Sequence, residues 1–170
     1  MRALWLVGMM GSGKTTVGEL IARWTKLAFF DTDLLVEAAQ RRPIASIWDT
    51  DGQEAFRDLE SEQIDRIASS QQDCVVATGG GAVLRSENIS VMRDSGLVVW
   101  LSAQPAELAA RVVDSDTRPL LGGVPGEERL AGLLHEREES YATAAHFRVE
   151  TGSKGREAVA REVMALWNAS

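Results

Sequence analysis

The chain has 170 residues, 45% of them hydrophobic and 25% charged, enough for one globular domain with a sizeable core. Its net charge of −7 and pI near 4.9 exclude a broad basic surface for nucleic acid, so an anionic substrate must be met by a local cluster of Arg and Lys. No apolar run approaches the roughly 20 residues needed to cross a bilayer, and the single Cys74 excludes an internal disulfide and fits a reducing cytoplasm.

"ALWLV" (3–7) is a continuous apolar run ended by Gly8, which suits a central parallel strand buried on both faces. The run passes straight into a Gly-rich loop without a cleavage-like site, so it reads as a first strand and not as a signal peptide. From Lys14 to Thr25, Val17, Leu20, Ile21 and Trp24 recur at helical spacing. "LAFF" (27–30) reads as a second strand running into "DTD", and Leu34 to Gln40 as a short helix stopped by "RRP". Residues 52–70 read as a long helix with Phe56, Leu59, Ile64 and Ile67 on one face. "CVVAT" (74–78) is a third strand, with Cys74 as a core thiol, and three glycines follow it. "LVVWL" (97–101) is a fourth, and Pro105 opens a helix through about Val113. The stretch 114–126 has two prolines, three glycines and no helical period, which predicts a mobile loop. Helix returns over 127–145, a fifth strand covers "FRVET" (147–151), and a last helix covers 155–168. Strands alternating with helices predict an α/β domain with a parallel sheet, its ligands beyond the carboxyl ends of the strands.

Three of those ends carry chemistry. "GMMGSGKT" matches the phosphate-loop spacing through Gly8, Gly13, Lys14 and Thr15, between a strand and a helix. Its backbone amides and the helix N-terminus suit phosphate; Lys14 is expected at the β and γ phosphates and the Thr15 hydroxyl at Mg²⁺. A magnesium site also calls for a carboxylate. Strands three and four end in Thr-Gly-Gly-Gly and Leu-Ser-Ala, so "FFDTD" is the remaining source. Asp31, nearer the strand, suits the metal through water; Asp33 suits the acceptor's proton, or else caps the next helix. Arg57 and Glu60 stand three apart, either as an exposed i,i+3 ion pair or as a guanidinium fork for a substrate carboxylate held in place by Glu60. Gly79, Gly80 and Gly81 leave backbone amides open to a small ligand. Arg118, in the 114–126 loop, suits charge stabilisation on a transferring phosphoryl group, or is a solvated charge. Arg137 lies among Glu136, Glu138 and Glu139 and reads most simply as part of a surface ion-pair face; spacing gives no reason to prefer it to Arg129. His135 and His146 lack partners at metal-ligand spacing.

The ordered set "GMMGSGKTTVG", "FFDTD", "DGQEAFRDLE", "TGGGAV", "VVWL", "TRPLL", "ER…Y" and "FRVET" resembles shikimate kinase, a relative of the nucleoside monophosphate kinases, nearly end to end. The resemblance implies a single-domain P-loop kinase with a five-stranded parallel sheet in the order 2-3-1-4-5, a lid near 114–126 and a substrate-binding region near 33–61. It implies transfer of the γ-phosphate of ATP to the 3-hydroxyl of shikimate with Mg²⁺, in a cytoplasmic monomer without nucleic-acid or membrane partners. Carried onto this chain, Gly11, Ser12, Gly13, Lys14, Thr15 and Thr16 hold ATP phosphates, with Thr15 and Asp31 at the metal. Asp33 binds the acceptor hydroxyls and is the candidate base. Arg57 and Arg137 grip the carboxylate, Gly79 to Gly81 line the pocket, and Ile44, Trp48 and Phe56 form its apolar wall. Arg118 comes from the lid, and Arg111 resembles the residue that stacks on adenine. The chain departs from the common family pattern at Arg156 and Ser140, where prolines are frequent.

Overall fold

In the computed structural model, which describes residues 3–70, 72–112 and 126–170, the apolar run Ala3–Val7 forms β1 and every one of its residues is buried. It pairs in parallel with β3 (Cys74–Ala77) on one side and β4 (Gly96–Ser102) on the other. Beyond them lie β2 (Ala28–Asp31) and β5 (Phe147–Glu150), so the strand order is β2-β3-β1-β4-β5, as expected. The near-continuous hydrophobicity of β1, β3 and β4 follows from cover on both faces. Burial pushes the Cys74 thiol up to about 11, in keeping with an inert core group.

Side chains alternate between two cores. Leu4 and Leu6 face α1 (Lys14–Thr25) and α7 (Arg156–Ala169), through Val17, Ile21, Val159 and Val163. Trp5 and Val7 face the opposite layer, built from α3 (Ile44–Ser69), α4 (Ser86–Ser95), α5 (Pro105–Val112) and α6 (Gly126–Ala144). A third cluster, Val36, Ile47 and Phe56, joins α2 (Thr32–Gln40) to α3.

The structure corrects several expectations. β2 is shifted by one residue and takes in Asp31. The helix expected from residue 52 starts at Ile44 and is interrupted at Gly52, whose φ of 86° and ψ of 171° are not helical. Its buried stripe runs through Arg57, Glu60, Ile64 and Ile67; Phe56 and Leu59 turn to the third cluster. The expected face mixed these two directions. The short α4, not anticipated, is tied down by its neighbours: Asn88 Nδ2 donates to Ala82 O at 2.9 Å, and Arg85 just before it pairs with Asp58 and Glu54 of α3.

The start of β5 depends on a side chain standing in for backbone. His146 N donates to Val98 O at 2.8 Å, and Val98 N donates to His146 Nδ1 at 3.0 Å. Accepting that bond requires Nδ1 without a proton. Burial, followed by the Arg93 charge, lowers the His146 pKa below its ordinary value. A depressed histidine contributes stability above its unfolded pKa, lost as pH falls through the folded one. The thermal midpoint is therefore expected to drop on acidification from pH 7 to 5. In His146→Phe it should be lower at pH 7 but less pH-dependent; an unchanged pH profile in that variant would exclude His146 as the cause.

Candidate active site

The phosphate loop follows β1, and glycines give it its shape. Gly11 and Gly13 have φ of 78° and 93°, where a side chain would be strained. Gly13 is the N-cap of α1, so the loop amides and the positive helix end converge, which suits phosphate. Lys14 is buried, and its Nζ donates to Gly8 O at 2.8 Å and Met9 O at 2.9 Å, bracing the loop that carries it.

Asp31 ends β2 beside this loop. Its Oδ2 accepts from the Thr15 hydroxyl at 2.8 Å, and its Oδ1 accepts from Asp33 N at 3.1 Å. Asp31 is thus the N-cap of α2, which decides the alternative left open for Asp33: Asp33 lies in the first helical turn and is not the cap. The adjacent Thr15 and Asp31 oxygens form a hard donor pair that fits magnesium, an ion commonly held by one or two protein oxygens plus waters and phosphates.

Arg57 and Glu60 do not form an exposed pair. Their side chains are 6% and 0% accessible, and Arg57 Nη1 donates to Glu60 Oε2 at 2.5 Å. Burial pushes the Glu60 pKa up against the opposing pull of Arg57, and the Asp33 charge adds to the rise. The Arg57 guanidinium also lies 5.1 Å from the Phe56 ring centroid.

Arg137 departs most from the sequence expectation, because it is buried rather than part of a surface ion-pair face. Leu130, Leu133, Arg137, Tyr141 and Ala144 form the buried stripe of α6 at steps of three and four, whereas Arg129 is exposed. That phase was a readable signal separating the two arginines. Arg137 Nη1 donates to Gly80 O at 3.3 Å, and the buried Tyr141 hydroxyl donates to the same carbonyl. Tyr141 stacks on Trp100, with ring centroids 5.5 Å apart, and burial raises its pKa, so the hydroxyl stays a donor.

A cavity of about 400 Å³ unites both halves of the site. Thr15 and Asp31, next to the phosphate loop, border it together with Asp33, Arg57 and Gly79 to Gly81, and Ile44, Trp48 and Phe56 supply apolar surface. Arg137 is not among its lining residues and meets the glycines through Gly80 O. Met10, Leu34 and Glu37 also line the cavity and were missed from sequence. Glu37 lies one helical turn after Asp33, a periodicity that places both on one face.

Arg111 links three elements. Its guanidinium donates to Gly11 O at 3.2 Å, Thr151 Oγ1 at 3.2 Å, Thr151 O at 3.0 Å and Gly152 O at 2.9 Å, joining α5 to the phosphate loop and the loop after β5. Arg156 is exposed at the start of α7 and pairs with Glu157. Arg118 lies outside the described residues.

Comparison with known proteins gives a consistent result. A family model described as shikimate kinase matches residues 10–167. A shikimate kinase of Symbiobacterium thermophilum is 45% identical over 161 residues, covering 94% of this chain and 92% of that protein. One from Moorella thermoacetica is 44% identical over 93% of this chain and 90% of that protein. The solved structure of shikimate kinase from Acinetobacter baumannii in complex with shikimate superposes with a TM-score of 0.94 at 31% identity, covering 99% of this chain and 94% of that one.

Removing the Glu60 carboxylate strands the Arg57 charge in the interior. Glu60→Ala should cost about 3–5 kcal/mol in denaturant unfolding; a loss under about 1 kcal/mol would mean that solvent reaches Arg57 freely.

Proposed function

The chain belongs to the shikimate kinase family, and from that premise we propose how its residues carry out ATP-dependent phosphorylation of the 3-hydroxyl of shikimate, giving shikimate 3-phosphate and ADP. The observation that carries the reading is the single cavity that phosphate-loop residues share with Asp33, Arg57 and the glycine triplet. Donor and acceptor elements border one space, as in-line transfer between two bound substrates requires.

The phosphate loop, Gly11 to Thr16, receives the ATP phosphates on backbone amides, and Lys14 neutralises charge at the β and γ positions. Thr15 and Asp31 would hold magnesium, which would supply neutralisation of phosphate charge. Asp33 holds the acceptor hydroxyl and takes its proton as the oxygen bonds to the γ-phosphorus. The bond from that phosphorus to the β–γ bridging oxygen breaks, and ADP leaves. Arg57 binds the shikimate carboxylate, its orientation set by Glu60, while Arg137 secures the Gly80 backbone and adds a second cation nearby. Arg111, fixed in its plane by four acceptors, keeps its flat faces for the adenine ring. Residues 114–126 act as a lid, and Arg118 on it stabilises the transferring phosphoryl group. The enzyme acts on small molecules in a reducing compartment, a reading that its one buried thiol and acidic charge support; no described helix is long and apolar enough to cross a membrane.

A coupled ADP-release assay with shikimate, quinate, gluconate and nucleoside monophosphates tests the substrate. Turnover is expected with shikimate, and none with shikimate would overturn the reading. Asp33→Asn should reduce turnover by about 10²-fold or more while ATP binding persists; near-normal turnover would remove Asp33 from the chemistry. Arg57→Ala should raise the shikimate KM far more than the ATP KM, and equal rises would count against the carboxylate clamp.

A further inference from the structure

Three consecutive glycines invite the explanation that the backbone needs unusual angles or that a ligand needs room. The first is excluded: among the described residues the glycines with left-handed φ are Gly8, Gly11, Gly13 and Gly52, none of them in the triplet. Gly81 has φ of −110°, open to any residue.

What glycine provides at two of these positions is space for the protein's own side chains. A β-carbon on Gly79 would stand 2.6 Å from Asp33 Oδ1 and closer still to Glu60 Oε1. On Gly81 it would stand 2.5 Å from Arg57 Cζ and 2.7 Å from Nη1, with Nη2 nearer again. Gly80 differs: its β-carbon would meet nothing nearer than 3.6 Å, an ordinary contact. The colliding atoms all belong to the acceptor-holding group. We propose that Gly79 and Gly81 are positioning residues whose missing β-carbons form seats, one for the Asp33 and Glu60 carboxylates and one for the Arg57 guanidinium, so that the strand-three turn sets the mutual placement of base and clamp.

The physical consequence is selective. The atoms in the way are side-chain ends, which can swing aside more cheaply than backbone. An added methyl is therefore compatible with folding, but it displaces the groups that hold the acceptor. Arg57 and Glu60 are buried, so a displaced guanidinium or carboxylate finds no equivalent place nearby. A misplacement of about 1 Å at a reacting centre is enough to cost on the order of 10²-fold in rate.

The kinetic part of the test rests on the acceptor reading above; the stability part does not. Gly81→Ala should raise the shikimate KM roughly ten- to hundredfold, with the ATP KM within about twofold of the parent. The decisive comparison repeats Gly81→Ala in an Arg57→Lys background, which keeps the cation but removes the forked head that the methyl meets. If Gly81 is a seat for the guanidinium, the second substitution adds little there to the loss in kcat/KM for shikimate or to the fall in thermal midpoint. Multiplicative kinetic losses and the same midpoint drop in both backgrounds would overturn the proposal and make Gly81 a ligand-facing or purely structural residue. If the parent protein fails to turn over shikimate, the acceptor reading fails, while the midpoint cycle still decides the seat.

Discussion

The buried ion pair of Arg57 and Glu60 is the constraint around which the acceptor side of this molecule is arranged. Two charges with almost no access to water face a desolvation cost of several kcal/mol each, and a well-packed apolar pair would serve stability at least as well. Their retention makes physical sense if the cation is kept at depth for an anion that arrives later. An arginine already desolvated and oriented binds a carboxylate with less reorganisation than one waving in solvent. The surroundings follow from that placement. The turn after β3 gives up β-carbons beside the pair, and α6 turns a second arginine and a buried tyrosine onto the middle glycine's carbonyl.

Asp31 is one link between the donor side and this arrangement. Asp31 uses one oxygen to hold the Thr15 hydroxyl and the other to cap α2. The helix start that carries Asp33 is thereby referenced to the phosphate loop. Arg111 makes a comparable connection on the far side of the loop, tying Gly11 to Thr151 and Gly152. The phosphate loop is therefore tied both to the start of α2 and to the loop after β5.

Much of this was legible in the residues. Apolar runs identified β1 to β4 and the mixed stretch "FRVET" β5, while the phosphate loop, the carboxylates after β2 and the glycines after β3 marked the strand ends that border the cavity. What was misjudged turned on helical phase and on long-range contact. Arg137 looked like one charge among many because its sequence neighbours are glutamates, yet it lies in step with Leu130, Leu133 and Tyr141 on the buried stripe. Reading four residues either side would have separated it from Arg129. Phase alone did not settle Arg57, because the adjacent Phe56 and Arg57 are both buried, and a break at Gly52 resets the register before them.

Local chemistry dictated by residue type came from the sequence: which strands are covered on both faces, where a loop can wrap phosphate, and which carboxylates are available at a strand end. These are properties of a few adjacent residues and their periodicity. The tertiary structure alone decided where the ambiguous residues among those described sit. Asp31 caps and Asp33 does not; Arg57 is buried and not a surface partner; two glycines yield to side chains of Asp33, Arg57 and Glu60, which lie on other elements of the chain. Those outcomes depend on the order β2-β3-β1, which brings the ends of β2 and β3 together, and no local pattern encodes the distance between atoms that meet only after the sheet has formed.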